Sequence, residues 1–315
     1  MESHATLGFV ADVGGTNLRL ALVARDRGVI QEVRAKTPSS PTPERILDCL
    51  ADMIAELGGT RQAAGLVLGI PGLVDAEAGL VRINANLGWR DVALGRAAHD
   101  RLGLGTLVQN DVRLHTLGEW QFGAGRGLGP RQTMADVVIG TGVAMGLVSS
   151  GQLLKTPESG EIGHVTWNRG GIACGCGKTG CLETMVGAKA LTRLFRERGL
   201  ATDDFARDVV GALRTGQAEG VEAWTQFSQA LAFGLSIIVM VLHPDLIVLS
   251  GGVAQSFPWW KPLLMRALSG ELFADSLSRV HIAVSTLGDS APYLGGMSLL
   301  VDRLSSQTDI DRRAD

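Results

Sequence analysis

Asp12-Val13-Gly14-Gly15-Thr16-Asn17-Leu18-Arg19 is the stretch whose reading decides the fold. The apolar segment Leu7–Val13 precedes its glycines and Leu18–Ala24 follows them, both rich in β-favouring residues, so the chain makes a hairpin-like turn. Consecutive glycines let the backbone turn sharply and present N–H groups to an anion without Cβ obstruction. Thr16 adds a hydroxyl donor, and Asp12 at the strand end is placed to hold Mg²⁺ directly or through water. This is not a Walker A loop, because a strand rather than a helix comes next. Two readings stay open from these residues alone: a phosphate-binding turn, or a plain hairpin with a surface aspartate.

Moving outward, Gly28–Thr37 reads as a third strand, and Pro38, Pro41 and Pro43 then break the pattern. Thr42 is placed to cap a helix through Ile46, Leu47, Leu50, Met53, Ile54 and Leu57, stopped by Gly58-Gly59. Gly65–Ile70, ended by Pro71-Gly72, and Gly105–Gln109 read as further strands, and the alternation indicates an α/β architecture. A second block repeats the first: Asp136–Ile139 and Val143–Val148 flank Gly140-Thr141-Gly142. The loop-rich stretch Ser149–Gly180 follows, then helices including Glu222–His243, which Pro244 stops. Leu246–Leu249 is a strand closing on Gly251-Gly252, residues 291–305 form a final helix, and Ser305–Asp315 reads as a frayed polar tail. Two similar Gly/Thr hairpins suggest duplicated domains with a cleft between them.

At 315 residues the chain exceeds usual single-domain size. Its 42 glycines have no collagen-like period and cluster beside apolar runs, as tight turns and close backbone approaches require. A formal net charge of −3 gives no support for a nucleic-acid binder. Residues 1–6 carry no basic region and Asp12 interrupts the apolar stretch after them, against a secretory leader. The longest apolar run, Ala230–Leu242, includes Gly234 and Ser236 and is shorter than the roughly 20 residues a membrane span needs, so it reads as a core helix. The expectation is a cytoplasmic protein, where clustered cysteines signal a metal rather than a disulfide.

Three of the four cysteines lie between 174 and 181. Glu161-Ile162-Gly163-His164 precedes Cys174-Gly175-Cys176-Gly177-Lys178-Thr179-Gly180-Cys181-Leu182-Glu183, so one imidazole and three thiolates can complete a tetrahedral Zn²⁺ site. Four protein ligands close the site and make the metal structural; free buried or redox-active thiols are the alternative. Cys49 reads as a small hydrophobe on the core face of its helix. Gly177-Lys178-Thr179 mimics the end of a P-loop, but Ile172 stands where the first glycine belongs. Gly140–Gly146 likewise misses the dinucleotide fingerprint, with Met145 at the third glycine position. Asn110-Asp111 follows a strand, where α/β sheets place ligands, and reads either as a cap or as a carboxylate acting as general base. Asn84–Trp89 is either a polar loop anchored by Trp89 or a hydrogen-bonding sugar loop.

Together these segments resemble the ROK family of bacterial sugar kinases and repressors, over nearly the whole chain. Asp12–Arg19 is similar to its first phosphate motif, Gly69–Gly72 with Asn86–Trp89 to its sugar-side segment, and Asn110-Asp111 to its catalytic position. Gly140–Gly146 is similar to the second phosphate motif, Glu161–Glu183 to the zinc signature, Ser250–Val253 to the adenosine segment, and Ala291–Gly296 to the helix returning to the first domain. One departure stands out: Val143, Ala144 and Met145 precede Gly146 where the family usually has further glycine.

The resemblance implies two actin-like ATPase (ribonuclease H-like) domains, 1–110 with 291–315 and 111–290, and ATP-dependent phosphorylation of a hexose at its 6-hydroxyl, glucose first. It implies Asp111 as the base, with Gly72, Asn86, Asn110, Glu161, His164 and Glu183 contacting sugar. ATP and Mg²⁺ fall to Asp12, Gly14, Gly15, Thr16, Asn17, Arg19, Gly140, Thr141, Gly142, Gly251 and Gly252, and structural Zn²⁺ to His164, Cys174, Cys176 and Cys181. His164 would ligate zinc through one nitrogen and reach the sugar with the other. Rival substrates are N-acetylmannosamine, N-acetylglucosamine, allose and fructose. A sugar-sensing repressor is a lesser alternative, since only eleven residues precede Asp12, too few for a helix-turn-helix module. A scaffold that has lost catalysis is disfavoured by Asp12 and Asp111. The expected partners are hexose and ATP, with no nucleic acid or membrane, in a homodimer.

Overall fold

The computed structural model describes residues 6–314, with side chains described as far as residue 306. Residues 1–5, which bear on the expected lack of a leader, and Asp315 lie outside the described residues. Contacts divide the chain into two compact units: one holds the described residues up to 126 with 153–159 and 289–314, the other 127–152 with 160–288.

The first unit opens with β1 (Leu7–Val13), β2 (Asn17–Ala24) and β3 (Gly28–Lys36), an antiparallel meander in which Asp12 lies opposite Arg19. Next comes α1 (Pro43–Glu56), where the Thr42 hydroxyl accepts the Arg45 N–H and Pro43 pre-sets the first turn. β4 (Leu66–Ile70) runs parallel to β1. A small antiparallel sheet follows, β5 (Leu73–Asp75), β6 (Leu80–Asn84) and β7 (Trp89–Val92), which the sequence reading missed because these strands are short and partly polar. The expected loop Asn84–Trp89 is therefore a hairpin connection. α2 (Leu94–Leu102), β8 (Thr106–Asn110) and α3 (Asp111–Phe122) complete this run.

The main sheet has the order β3-β2-β1-β4-β8, with β1, β4 and β8 parallel. Alternation along β1 buries Phe9, Ala11 and Val13 against α1 on one face and Val10 against the C-terminal helix on the other. That helix (Ala291–Ala314) extends past 305, where a frayed tail was expected. It crosses α3 closely: a Cβ on Gly118 would lie 2.1 Å from the Ala291 carbonyl oxygen, and one on Gly295 1.9 Å from that of Leu114. Only glycine permits this approach. Cys49 packs partly buried against the first core, as a small hydrophobe would.

The second unit repeats the plan with β9 (Thr133–Ile139), β10 (Val143–Ser149), β11 (Gln152–Leu153), β12 (Leu246–Ser250) and β13 (Ile282–Val284), in the order β11-β10-β9-β12-β13. The helices are α4 (Ala188–Arg196), α5 (Gly211–Thr215), α6 (Ala218–Leu242), α7 (Phe257–Glu271) and α8 (Ala274–Arg279). Both sheets thus have the strand order of ribonuclease H-like, actin-like ATPase domains. The second core centres on aromatic rings, with Trp224 stacked on Trp260 at 5.9 Å and Phe257 edge-on to Trp260 at 4.8 Å. Both indoles keep a hydrogen-bond acceptor, the Val209 carbonyl and the Ser256 hydroxyl. α6 is long and apolar enough to cross a membrane by length and composition, but it buries Trp224, Phe227, Leu231, Leu235 and Ile238 in this core. Its last turn departs from the expected buried helix, since Met240 and Val241 are exposed.

Candidate functional site

In the first unit the Asp12–Arg19 turn closes when the Gly14 N–H donates to the Asn17 carbonyl at 3.0 Å. Thr37 braces it from β3's end: its hydroxyl donates to the Gly14 carbonyl at 2.7 Å and its N–H to that of Thr16 at 3.0 Å. Neither Gly14 nor Gly15 has positive φ. At Gly15 an added Cβ would lie 3.2 Å from Cβ of Asn86, a tight contact that the neighbour would have to relieve by a few tenths of an ångström. The turn and the Asn84–Trp89 hairpin therefore meet.

Burial pushes the Asp12 carboxyl above the ordinary aspartate range; Arg19 opposes this, while Asp289 and Glu32 reinforce it. Arg19 Nη1 donates to Asp289 Oδ2 at 2.8 Å, and the Tyr293 hydroxyl donates to Glu32 at 3.1 Å. Burial, with Glu32 beside it, raises the Tyr293 hydroxyl as well. Glu32, Asp289 and Tyr293 had no sequence signal, since the fold alone brings the C-terminal helix to β2 and β3.

Asn110 ends β8 and its side chain works twice. Its Oδ1 accepts the Arg113 N–H at 3.1 Å, capping α3, and its Nδ2 donates to the Gly72 carbonyl at 3.0 Å. Asp111 is the first residue of α3, partly exposed, with Oδ1 accepting the Val112 N–H at 2.9 Å. Gly72, Asn110 and Asp111 thus share one corner of the unit, and Gly15 and Asn86 adjoin one another.

In the second unit the first residues of α4 take the carbonyls of the Gly140–Gly142 turn: Ala188 N–H donates to Gly140 at 2.9 Å and Lys189 N–H to Thr141 at 3.3 Å. Gly251, at φ +84°, lies so close to β9 that a Cβ would stand 2.5 Å from the Ile139 carbonyl oxygen. The Gly251-Gly252 turn and the Gly140–Gly142 turn therefore adjoin at the end of β9. An added Cβ at Gly140 or Gly252 would meet nothing within 4 Å, leaving backbone that a ligand can approach. Below them the Ser250 hydroxyl donates to the buried Asp136 carboxylate at 2.5 Å, a pairing 114 positions apart that no local pattern reveals.

The side chains of His164, Cys174, Cys176 and Cys181 gather with their ligand atoms within 4.8 Å of one another. His164 Nδ1 is 3.7 Å from Cys174 Sγ, and Cys176 and Cys181 Sγ are 3.6 Å apart. Burial, with the neighbouring thiols, pushes Cys181 up to about 12. Burial opposes ionisation of Cys176 as well, but the Lys178 backbone N–H and the other two thiols outweigh it and lower that thiol. One nitrogen and three sulfurs at this spacing fit a tetrahedral soft-ligand metal. The other imidazole nitrogen faces Glu161, Nε2 to Oε2 3.6 Å. Glu183 reaches toward Cys174 Sγ at 3.9 Å and lies against the Gly140–Gly142 turn, where a Cβ on Gly142 would be 2.0 Å from its Oε2.

Known proteins give these two clusters a family setting. The sequence profile described as "ROK family" matches residues 9–303. The glucokinase of Halalkalibacterium halodurans is 30% identical, the match covering 90% of this chain and 92% of that protein. The putative xylose repressor of a Caldicellulosiruptor species is 26% identical over 96% of this chain and 80% of its own. Among solved structures, the ROK hexokinase of Thermus thermophilus superposes with a TM-score of 0.75 at 27% identity, covering 92% of this chain and 96% of that one. A family profile matched over nearly the whole chain, with a relative 30% identical over nine-tenths of it, establishes that this chain belongs to the ROK family.

Proposed function

We propose that the protein is an ATP-dependent hexose kinase that phosphorylates the 6-hydroxyl, with glucose the first substrate. The observation that carries this reading is Asp111 at the start of α3, held at the corner where Asn110 binds Gly72, in a chain related to a glucokinase over nine-tenths of its length. Asp111 takes the proton of the sugar 6-hydroxyl as that oxygen attacks the γ-phosphorus; the bond from phosphorus to the bridging oxygen breaks and ADP leaves. Asn110, Asn86 and the Gly72 backbone orient the hexose, with Glu161, His164 and Glu183 accepting from or donating to its hydroxyls. The Gly14–Asn17 and Gly140–Gly142 turns and Arg19 contact phosphates, and Gly251-Gly252 contacts the adenosine.

Asp12 would hold Mg²⁺, which offsets the charge of the transferring phosphoryl group. Its position at the end of β1 beside the glycine turn suits that role. His164, Cys174, Cys176 and Cys181 would hold a structural Zn²⁺, which fixes the loop carrying Glu161 and Glu183. The family resemblance supports a homodimer acting on hexose and ATP, and the net charge of −3 gives no support for a nucleic-acid partner.

A coupled assay of ADP release across hexoses and N-acetylhexosamines tests the proposal. Activity with glucose above all others is expected. Activity confined to an N-acetylhexosamine would move the assignment to that sugar, and none with any sugar would sink it.

A further inference from the structure

Arg113 lies two residues after Asp111 in α3, is only 2% exposed, and has no part in the mechanism above. Its guanidinium donates to the carbonyls of Lys155 (3.3 Å), Thr156, Pro157 (3.1 Å) and Ser159 (3.4 Å), to the Ser159 hydroxyl (3.1 Å), and to Gln109 Oε1 (3.4 Å). A planar fork of five N–H donors suits this set of backbone oxygens as no other side chain does.

The segment 154–160 forms no helix or strand. Within it Ser159 donates its N–H and its hydroxyl to the Thr156 carbonyl, at 3.0 and 2.7 Å, a single turn. Its path therefore depends on the guanidinium. The same guanidinium reaches the strand end beneath Asp111, because Gln109 Oε1 also accepts the Asn110 N–H at 2.9 Å. One peptide beyond Ser159, the Gly160 carbonyl accepts the Met145 N–H of β10 at 2.8 Å, and Glu161 follows. Ser159 is thus held within the first unit and Gly160 within the second, and Glu161 is the next residue along the chain.

We propose that Arg113 is a positioning residue for the hexose: it holds segment 155–159 so that the backbone enters Glu161 along one preset path. The inference rests on the reading of Glu161 as a sugar ligand. A segment ordered beforehand spares each binding event the entropy of ordering it, so the loss should fall on hexose affinity and leave ATP affinity alone.

The test is glucose binding by calorimetry, with KM for glucose and for ATP, on wild type, Arg113→Ala and Arg113→Lys, alongside hydrogen exchange of the amides in 155–160. Arg113→Ala should raise the glucose Kd and KM about tenfold or more, keep the ATP KM within about twofold, and speed exchange in 155–160. Added guanidinium ion should restore part of the lost affinity. Arg113→Lys should fall between, because one ammonium cannot span the same oxygens. A folded Arg113→Ala protein with unchanged glucose Kd overturns the proposal, and so does a parallel loss in the glucose and ATP constants. Should Arg113→Ala fail to fold, unchanged glucose Kd and exchange in Arg113→Lys overturn it instead. A wild type that binds no hexose refutes the kinase reading rather than the clamp, which unaltered exchange at 155–160 would then refute.

Discussion

The Asn110 side-chain amide donates to the Gly72 carbonyl at 3.0 Å, joining the residue before Asp111 to a turn 38 positions earlier. The bond ties the end of β8 to the Pro71-Gly72 turn beyond β4, and the Asn110 carboxamide oxygen caps α3 at the same time. Asp111 thereby starts from a backbone fixed on two sides. Asp111→Ala should lower kcat by about 10²–10⁴-fold, the range for loss of a general base, with glucose still bound in calorimetry. An Asp111→Ala enzyme with near wild-type turnover would refute the assignment. Asn110→Ala should cost about 1 kcal/mol of stability from the lost cap and raise the glucose KM too.

The His164, Cys174, Cys176 and Cys181 cluster should carry one zinc per chain, measured by plasma emission on freshly purified protein. Chelation should lower Tm and expose the 164–183 loop to protease. Cys176→Ser should reproduce both effects without chelator, since a hydroxyl is a poor zinc ligand. Metal-free protein of unaltered Tm would rule out a stabilising ion.

Gly251→Ala places a Cβ 2.5 Å from the Ile139 carbonyl oxygen in a residue held at φ +84°. A non-glycine residue there costs on the order of 1–3 kcal/mol. The turn should shift, and the ATP KM should rise by about tenfold while the glucose Kd stays within about twofold. Equal losses for both substrates would argue against an adenosine role for this turn.

Asp12 holds its proton to higher pH in the folded chain than in the unfolded one, because burial disfavours the carboxylate. The folded state therefore binds more protons in the window just above the ordinary aspartate range. Stability should fall as pH rises through that window, and Asp12→Asn should flatten the dependence. Urea unfolding of both proteins between about pH 4 and 6 reads this directly. Mg²⁺ with nucleotide should shrink the difference, by favouring the ionised carboxylate.

The sequence by itself determined the repeated strand–turn–strand plan, since alternating apolar segments around Gly14-Gly15 and Gly140-Thr141-Gly142 leave few other structures. It determined the gathering of thiols too, because Cys174, Cys176 and Cys181 are close along the chain and thiols so spaced converge with little loop to close. The strands β5 to β7 escaped it, as their partial burial gives no clean alternation. Only the tertiary structure decided which distant groups meet. Arg113 finds its oxygens 42 to 46 positions away, Ser250 finds Asp136 114 positions away, and Arg19 finds Asp289 270 positions away. Local preferences and periodicity describe neighbours along the chain, whereas these pairings follow from sheet order and from helices packed across it. A buried polar group takes whichever acceptor the completed fold sets beside it.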